Sequence, residues 1–167
     1  MSLIRGFPPV AAPDARLLVL GSMPCTASLR AGQYYAHPRN AFWRIMGDLV
    51  GAGPDLPYDV RLVRLKAAGI ALWDVIDACV RPGSLDANIV APTVCANDFA
   101  GFFAVHRNIR RICFNGGAAE ANFRRYVAPG LAGLDLQFFR LPSTSPAHAA
   151  RSYADKLAAW SAVIADR

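Results

Sequence analysis

The sequence lacks the long apolar runs that mark a membrane protein. No stretch approaches the roughly 18 consecutive apolar residues of a transmembrane helix. Arg5 is followed at once by Gly6-Phe7-Pro8-Pro9, where a signal peptide would continue with apolar residues. We therefore expect a protein of the cytoplasm with no membrane partner.

Metal-binding and common phosphate-binding motifs are also absent. No two of the four cysteines form a C-x-x-C pair, and no histidine pair completes a zinc pattern. Neither G-x-G-x-x-G nor G-x-x-x-x-G-K-[ST] occurs. We expect no metal, no redox cofactor and four reduced thiols. The cysteines are Cys25, Cys79, Cys95 and Cys113.

The composition is that of a folded, basic domain. Of the 167 residues, 54% are hydrophobic and 18% are charged, which is typical of globular proteins. Eighteen Lys and Arg against 12 Asp and Glu give a formal net charge of +6, which suits a polyanionic partner without requiring one. The chain shows no internal repeat, so we expect one domain over residues 1–167, acting as a monomer.

Short apolar runs alternate with amphipathic segments. The runs at 16–20, 69–75, 111–114 and 136–141 predict four strands. Helices are predicted from Asn40 to about Leu49 and over 56–68, 98–106, 118–127 and 149–165. Residues 22–39 are predicted to be a long ordered loop, and residues 81–98 are turn-rich. This alternation predicts an α/β fold, a three-layer α/β/α sandwich with a short, mostly parallel four-stranded central sheet.

Ligands of parallel α/β sheets bind outside the carboxyl ends of the strands. The segments after the first, third and fourth predicted strands are 21–40, 115–117 and 142–148, and each is rich in polar, Gly or Pro residues. We therefore expect the functional site where these three segments converge.

These three segments resemble the uracil-DNA glycosylase superfamily. GSMPCTASLRAGQYYAHPRNAFW, from Gly21 to Trp43, is similar to the first motif of the mismatch-specific uracil glycosylases. Its Gly-Ser-Met-Pro and Gln-Tyr-Tyr resemble the hypoxanthine-DNA glycosylase branch more closely. Phe7-Pro8-Pro9, Phe114-Asn115-Gly116 and Ser143-Thr144-Ser145-Pro146 also resemble that branch. The resemblance spans nearly the whole chain, and its most specific part runs from Tyr34 to Trp43.

The resemblance implies a DNA glycosylase. Such an enzyme excises a deaminated base, hypoxanthine and/or uracil, by hydrolysing the N-glycosidic bond, and so begins base excision repair. Other branches of the superfamily place an Asp or Asn in the turn after the first strand, where it helps to activate water. This chain has Ser22-Met23 in that turn, and its resemblance to the hypoxanthine branch implies that Asn40 acts on the water instead. It further implies catalysis by Asn40 and Asn115, base binding by Tyr35, Ser22, Met23 and Asn115, and DNA binding by Ser143, Thr144, Ser145, Pro146 and His148.

Each side chain has a simpler alternative role. The amide of Asn40 can place a water or the sugar, or it can only cap the following helix. Tyr35 can stack on a base or pack in the core, although Tyr34 is the better core candidate. The Asn115 amide matches the donor and acceptor of a lactam edge, or it only forms a turn.

The loop and the histidines carry the same ambiguity. The loop at 143–146 suits phosphate contacts, or it is a plain strand-to-helix turn. His148 is equally well explained as a surface residue without a role, and His37 as a support for the loop.

Two other functions are compatible with the sequence. One is a Rossmann-like module that binds a nucleotide or nucleic acid without catalysis. The other is a cysteine hydrolase that uses Cys25 and His37, although no G-x-C-x-G elbow is present.

Overall fold

The computed structural model describes residues 2–166. In chain order the strands are β1 (Leu3–Arg5), β2 (Leu17–Gly21), β3 (Ile70–Asp74), β4 (Ile76–Val80), β5 (Cys95–Ala96), β6 (Arg111–Asn115) and β7 (Gln137–Leu141). The helices are α1 (Thr26–Ala31), α2 (Phe42–Val50), α3 (Tyr58–Ala67), α4 (Phe99–Val105), α5 (Gly117–Tyr126) and α6 (Tyr153–Ile164). Short 3₁₀ turns lie at Asp86–Asn88, Ala91–Thr93 and Ala128–Gly130.

The central sheet confirms the predicted architecture. Its order is β3-β2-β6-β7, and every pairing is parallel. Because successive side chains of a strand point to opposite faces, Leu18 and Leu20 pack with α4 and α5, whereas Leu17 and Val19 pack with α2, α3 and α6. Two buried clusters therefore cover the two faces, and the carboxyl ends of all four strands meet at one edge.

A second, antiparallel sheet was not predicted. It has the order β1-β4-β5, and a single residue, Val75, separates β4 from β3. The N–H groups of Val75 and Ile76 bond the carbonyls of Gly21 and Ser22, so this chain reversal is tied to the end of β2. Its strands are short and pair across distant parts of the chain, so no local period announces them.

Two helix predictions need correction. The predicted loop at 22–39 contains α1, which ends at Gly32 in the left-handed conformation with φ 65°. The last helix begins at Tyr153 and not at Ala149, because the hydroxyl of Ser152 accepts a hydrogen bond from the N–H of Asp155 at 3.1 Å and caps it. None of the helices described is long and apolar enough to cross a membrane.

Candidate active site

A pocket of about 650 Å³, including its open mouth, lies at the carboxyl ends of the central strands. The three predicted segments converge there, and the ends of β3 and of the Asp86 turn complete the wall. Eight of the predicted residues line it: Ser22, Met23, Tyr35, Asn40, Asn115, Ser143, Thr144 and Ser145. Pro146 and His148 do not line this pocket, and His148 is exposed.

Asn40 was predicted as the N-cap of α2, but the N-cap is Ala41 and Asn40 lies one residue before it, where it also faces the pocket. Its Oδ1 still accepts a hydrogen bond from the N–H of Phe42 at 2.9 Å, so it satisfies one of the free N–H groups at the start of the helix. One lone pair of that oxygen and the amide N–H groups stay available, because an Asn side chain has two donors and two acceptor positions. Satisfying that backbone N–H and placing a water are therefore compatible at this side chain.

Tyr35 is held in an unusual conformation against the core. Its backbone has φ 54°, in the left-handed region, and its ring stacks on Phe42 with centroids 4.2 Å apart and planes 25° apart. The Tyr35 hydroxyl is buried and has no hydrogen-bond partner within residues 2–166. Burial raises the pKa of this hydroxyl, Asp74 adds to the increase and the nearby side chain of Asn115 opposes it, so the hydroxyl remains a proton donor.

Tyr34 is the core member of the pair, as the sequence suggested. Only 4% of its surface is exposed, and its hydroxyl donates to the carbonyl of Pro8 at 2.8 Å. Its backbone N–H in turn donates to the hydroxyl of Tyr58 at 3.0 Å. Both tyrosines line the pocket, but the hydroxyl of Tyr34 is hydrogen-bonded within the protein, whereas that of Tyr35 has no such partner in residues 2–166.

The side chain of Asn115 fastens the loop after β7. Its Nδ2 donates to Oγ1 of Thr144 at 2.9 Å, and its Oδ1 accepts from the N–H of Thr144 at 2.9 Å. Thr144 is only 1% exposed. Gly116, at φ 95°, adds to this close packing, because a Cβ there would lie 2.9 Å from the Cβ of Ser143. One donor and one acceptor position of Asn115 are left for a ligand.

Helix α6 holds both ends of the same loop. The indole N–H of Trp160 donates to the carbonyl of Pro142 at 3.0 Å. The buried ammonium of Lys156 donates to the carbonyl of His148 at 2.8 Å. We name residues 142–148 the anchored loop, because α6 and Asn115 fix it at three points.

The turn that follows β2 and contains Ser22 and Met23 is held from two sides. Oγ of Ser22 accepts from Nδ2 of Asn122, on α5, at 2.8 Å. The buried guanidinium of Arg81 donates to the carbonyls of Met23 at 3.4 Å and Pro24 at 2.6 Å. Ser22 and Met23 are both nearly buried, so they shape the wall of the pocket.

Asp74 is a site residue that the sequence analysis did not select. It ends β3 beside Gly21, and its side chain lines the pocket although only 4% of its surface is exposed. Its Oδ2 is buried and has no hydrogen-bond partner in the part of the chain described. A Cβ at Gly21 would collide with the Asp74 carboxylate and lie 3.1 Å from the Tyr35 hydroxyl, so a glycine is needed there.

The electrostatic surroundings raise the pKa of the Asp74 carboxyl, so that it is partly ionised at neutral pH. Burial raises the pKa of this carboxyl to about 7, Asp86 raises it further, and Arg81 lowers it. Burial also raises the pKa of Asp86, again opposed by Arg81. The second strand was predicted to run to Val75, which placed Asp74 inside the strand, whereas β3 ends at Asp74 and brings it to the edge where ligands bind.

The hydrogen bonds do not join Cys25 and His37. The thiol of Cys25 contacts the hydroxyl of Ser28 at 3.4 Å, whereas Nδ1 of His37 accepts from the N–H of Arg39 at 3.1 Å and lines a neighbouring groove. Within residues 2–166, no three His, Cys, Asp or Glu side chains are grouped in a way that could hold a metal ion.

Comparison with known proteins gives one consistent result. The sequence profile of the uracil DNA glycosylase superfamily matches residues 8–166. A hypoxanthine DNA glycosylase of Methanosarcina acetivorans is 38% identical over 161 residues, 96% of this chain and 97% of that protein. One of Methanosarcina barkeri is 39% identical over 113 residues, 67% and 70% of the two chains. The solution NMR structure of a candidate uracil DNA glycosylase from M. acetivorans has TM-score 0.80 and 37% identity, covering 98% and 97% of the chains.

Proposed function

This chain belongs to the uracil DNA glycosylase superfamily and is a DNA glycosylase, and we propose that it excises deaminated bases from DNA, hypoxanthine first among them. The two relatives at 38% and 39% identity are hypoxanthine DNA glycosylases, which favours this substrate. The observation that carries the proposal is the single pocket that collects Tyr35, Asn40, Asn115 and Asp74. A base must leave the helix to enter it, and flipping costs least for damaged or mispaired bases.

Asp74 provides the chemistry that distinguishes deaminated from normal bases. Deamination converts adenine N1 and cytosine N3, which are lone-pair acceptors, into the N1–H of hypoxanthine and the N3–H of uracil. An ionised carboxylate accepts a hydrogen bond from such an N–H and repels a ring lone pair, and with a pKa of about 7 a substantial fraction of Asp74 is ionised at neutral pH. The unpartnered Oδ2 of Asp74 supplies an acceptor of this kind in the pocket. One group can therefore select both deaminated bases against their parents.

The remaining pocket residues suit hydrolysis of the glycosidic bond. The sugar becomes cation-like as the bond breaks and the base leaves with negative charge, so a placed water and nearby donors suffice without a strong base. We assign the water to Asn40, which cannot take a proton but can orient the molecule. The buried Tyr35 hydroxyl and the remaining N–H of Asn115 are donors available to the departing base.

The anchored loop is assigned to the DNA backbone. Short hydroxyls bind phosphate, and Ser143 and Ser145 carry such groups at the wall of the pocket, while the buried Thr144 between them is held by Asn115 and fixes the loop. Pro146 and His148 lie beyond this wall, so their assigned contacts are with flanking nucleotides. We also propose that the protein acts as a monomer in the cytoplasm, where its four free thiols remain reduced.

The test is a panel of duplexes that each carry one hypoxanthine, uracil, adenine or cytosine at the same position. Base release leaves an abasic site that alkali cleaves. We expect cleavage at hypoxanthine or uracil and none at adenine or cytosine. Binding to these duplexes without cleavage would refute the enzymatic function and support a binding module.

The role of Asp74 is tested in the same assay with Asp74→Asn. Hydrogen bonds to charged groups contribute about 1.5–3 kcal/mol, so single-turnover release of hypoxanthine should fall about tenfold or more. Asp77→Asn is the matched control, because Asp77 pairs with Arg5 at 3.3 Å and does not line the pocket. Equal rates for both variants would remove Asp74 from base recognition.

A further inference from the structure

A groove rich in arginine adjoins the base pocket. It encloses about 1010 Å³ including its open side, and it shares Tyr35 and Asn40 with the pocket. Within the described chain, no Asp or Glu lines it. We name it the arginine groove, and its arginine and histidine lining residues are His37, Arg39, Arg44 and Arg61.

Two of its arginines are held in place by aromatic rings. The guanidinium of Arg44 lies 3.6 Å from the ring centroid of Tyr153. That of Arg61 lies 4.9 Å from the ring centroid of Trp43 and also donates to the carbonyl of Leu56 at 3.0 Å. A stacked guanidinium keeps its N–H edges directed outward and loses little freedom when an anion binds.

These arginines form no ion pair within the described part of the chain. The ion pairs within residues 2–166 are Arg5–Asp77, Arg111–Asp166, Arg124–Glu120 and Arg140–Glu120. Asp48 accepts from the hydroxyl of Tyr153 at 2.6 Å but does not line the groove. Three unpaired guanidinium groups beside one pocket form a site for a polyanion.

We propose that the arginine groove binds the phosphates of the DNA strand that carries the damaged nucleotide. The proposal rests on the proposed function. Tyr35 and Asn40 belong to both hollows, so a nucleotide whose base fills the pocket has its backbone at the entrance of the groove. The anchored loop lines the pocket but not the groove, so the two surfaces contact the strand at different points.

The first test is the salt dependence of DNA binding. Each phosphate contact contributes about 0.9 to the slope of log K against log salt concentration. The double variant Arg39→Gln/Arg44→Gln should lower that slope by about 1.8. The control Arg107→Gln/Arg110→Gln removes the same charge next to a separate hollow, before the start of β6, and should leave the slope unchanged. Equal slopes for the two double variants would overturn the proposal.

The second test locates the contacts on the DNA. A neutral methylphosphonate replaces one phosphate at a time on either strand of a duplex with a tetrahydrofuran abasic site. Where a phosphate contacts the groove, its replacement should weaken DNA binding by the wild-type protein but not by the Arg39→Gln/Arg44→Gln variant. Arg44→Lys, in an otherwise wild-type chain, keeps the charge and should keep the wild-type slope. Sensitivity on the opposite strand alone would overturn the assignment.

This design separates the two hypotheses. Binding to the abasic duplex requires no excision, so the slopes report on the groove even if hypoxanthine is not released. Release of hypoxanthine by wild type, measured separately with enzyme in saturating excess, reports on the proposed function. A groove variant that binds more weakly but releases the base normally when saturated supports the proposal.

Discussion

Replacing Asp74 by Asn should remove most of the pH dependence that this one carboxyl imposes on folding stability. Asp74 is 4% exposed, and its Oδ2 has no partner within residues 2–166. Burial raises its pKa from 3.8 to about 7, with Asp86 adding to the increase and Arg81 opposing it. The unfolded chain has neither the burial nor these neighbours, so the group titrates at different pH in the two states.

The sign of the effect follows from proton binding. Between the unfolded and folded pKa values, the folded state retains a proton that the unfolded state has lost, so stability falls as pH rises. Well between the two pKa values the loss is about 1.4 kcal/mol per pH unit, and from about pH 5 to pH 8 it amounts to about 3 kcal/mol. Above about pH 8 both states are ionised and this contribution is constant. The Asn variant cannot ionise and avoids the loss.

Urea unfolding at a series of pH values measures this directly. The difference in stability between Asp74→Asn and wild type should shift by about 3 kcal/mol in favour of the variant between about pH 5 and pH 8. Asp77→Asn, at an exposed carboxylate, controls for the general effect of removing one negative charge. Parallel pH curves for Asp74→Asn and wild type would show that Asp74 ionises in the folded state as it does in the unfolded chain.

Substitutions at three further positions test the pocket. Asn40→Ala should cost about 1 kcal/mol by losing the hydrogen bond from the N–H of Phe42 and should slow single-turnover base release at least tenfold. Asn40→Asp should restore the stability, because its carboxylate can accept the same hydrogen bond from Phe42. If Asn40→Ala releases the base at the wild-type rate, Asn40 has no role beyond this hydrogen bond. Thr144→Val should lower the free energy of unfolding by about 1–2 kcal/mol, because the amide of Asn115 loses its acceptor; unchanged urea unfolding would contradict this. Gly21→Ala should destabilise by about 1–3 kcal/mol, because its methyl group meets Asp74, and a stable variant with normal release would contradict the close packing.

The central sheet was predictable because its signals are local. The runs RLLVL and RICF are continuous, apolar and bounded by Gly or Asn, which is typical of buried parallel strands. Strands β1 and β4 gave no such signal, since they pair Leu3–Arg5 with residues 78–80 across most of the domain. Non-local pairing of short strands depends on the folded context and leaves no period in the sequence.

The candidate site was likewise predictable only where its signals are local. Strand-end positions and a family resemblance located Tyr35, Asn40 and Asn115, and the structure brings them to one pocket. Which hydrogen bonds each amide already makes could not be predicted, because those depend on where the loop after β7 returns. Asp74 fell inside the predicted strand at 69–75, and only the folded structure shows its burial and its unpartnered oxygen at the pocket.

The three attachments of the anchored loop have a consequence for binding. A surface that is already ordered loses little conformational entropy when a ligand arrives, so more of the contact energy becomes affinity. Two of the attachments come from Lys156 and Trp160, on a helix that does not line the pocket. Substitutions on that distant helix should therefore weaken DNA capture without touching the nucleotide.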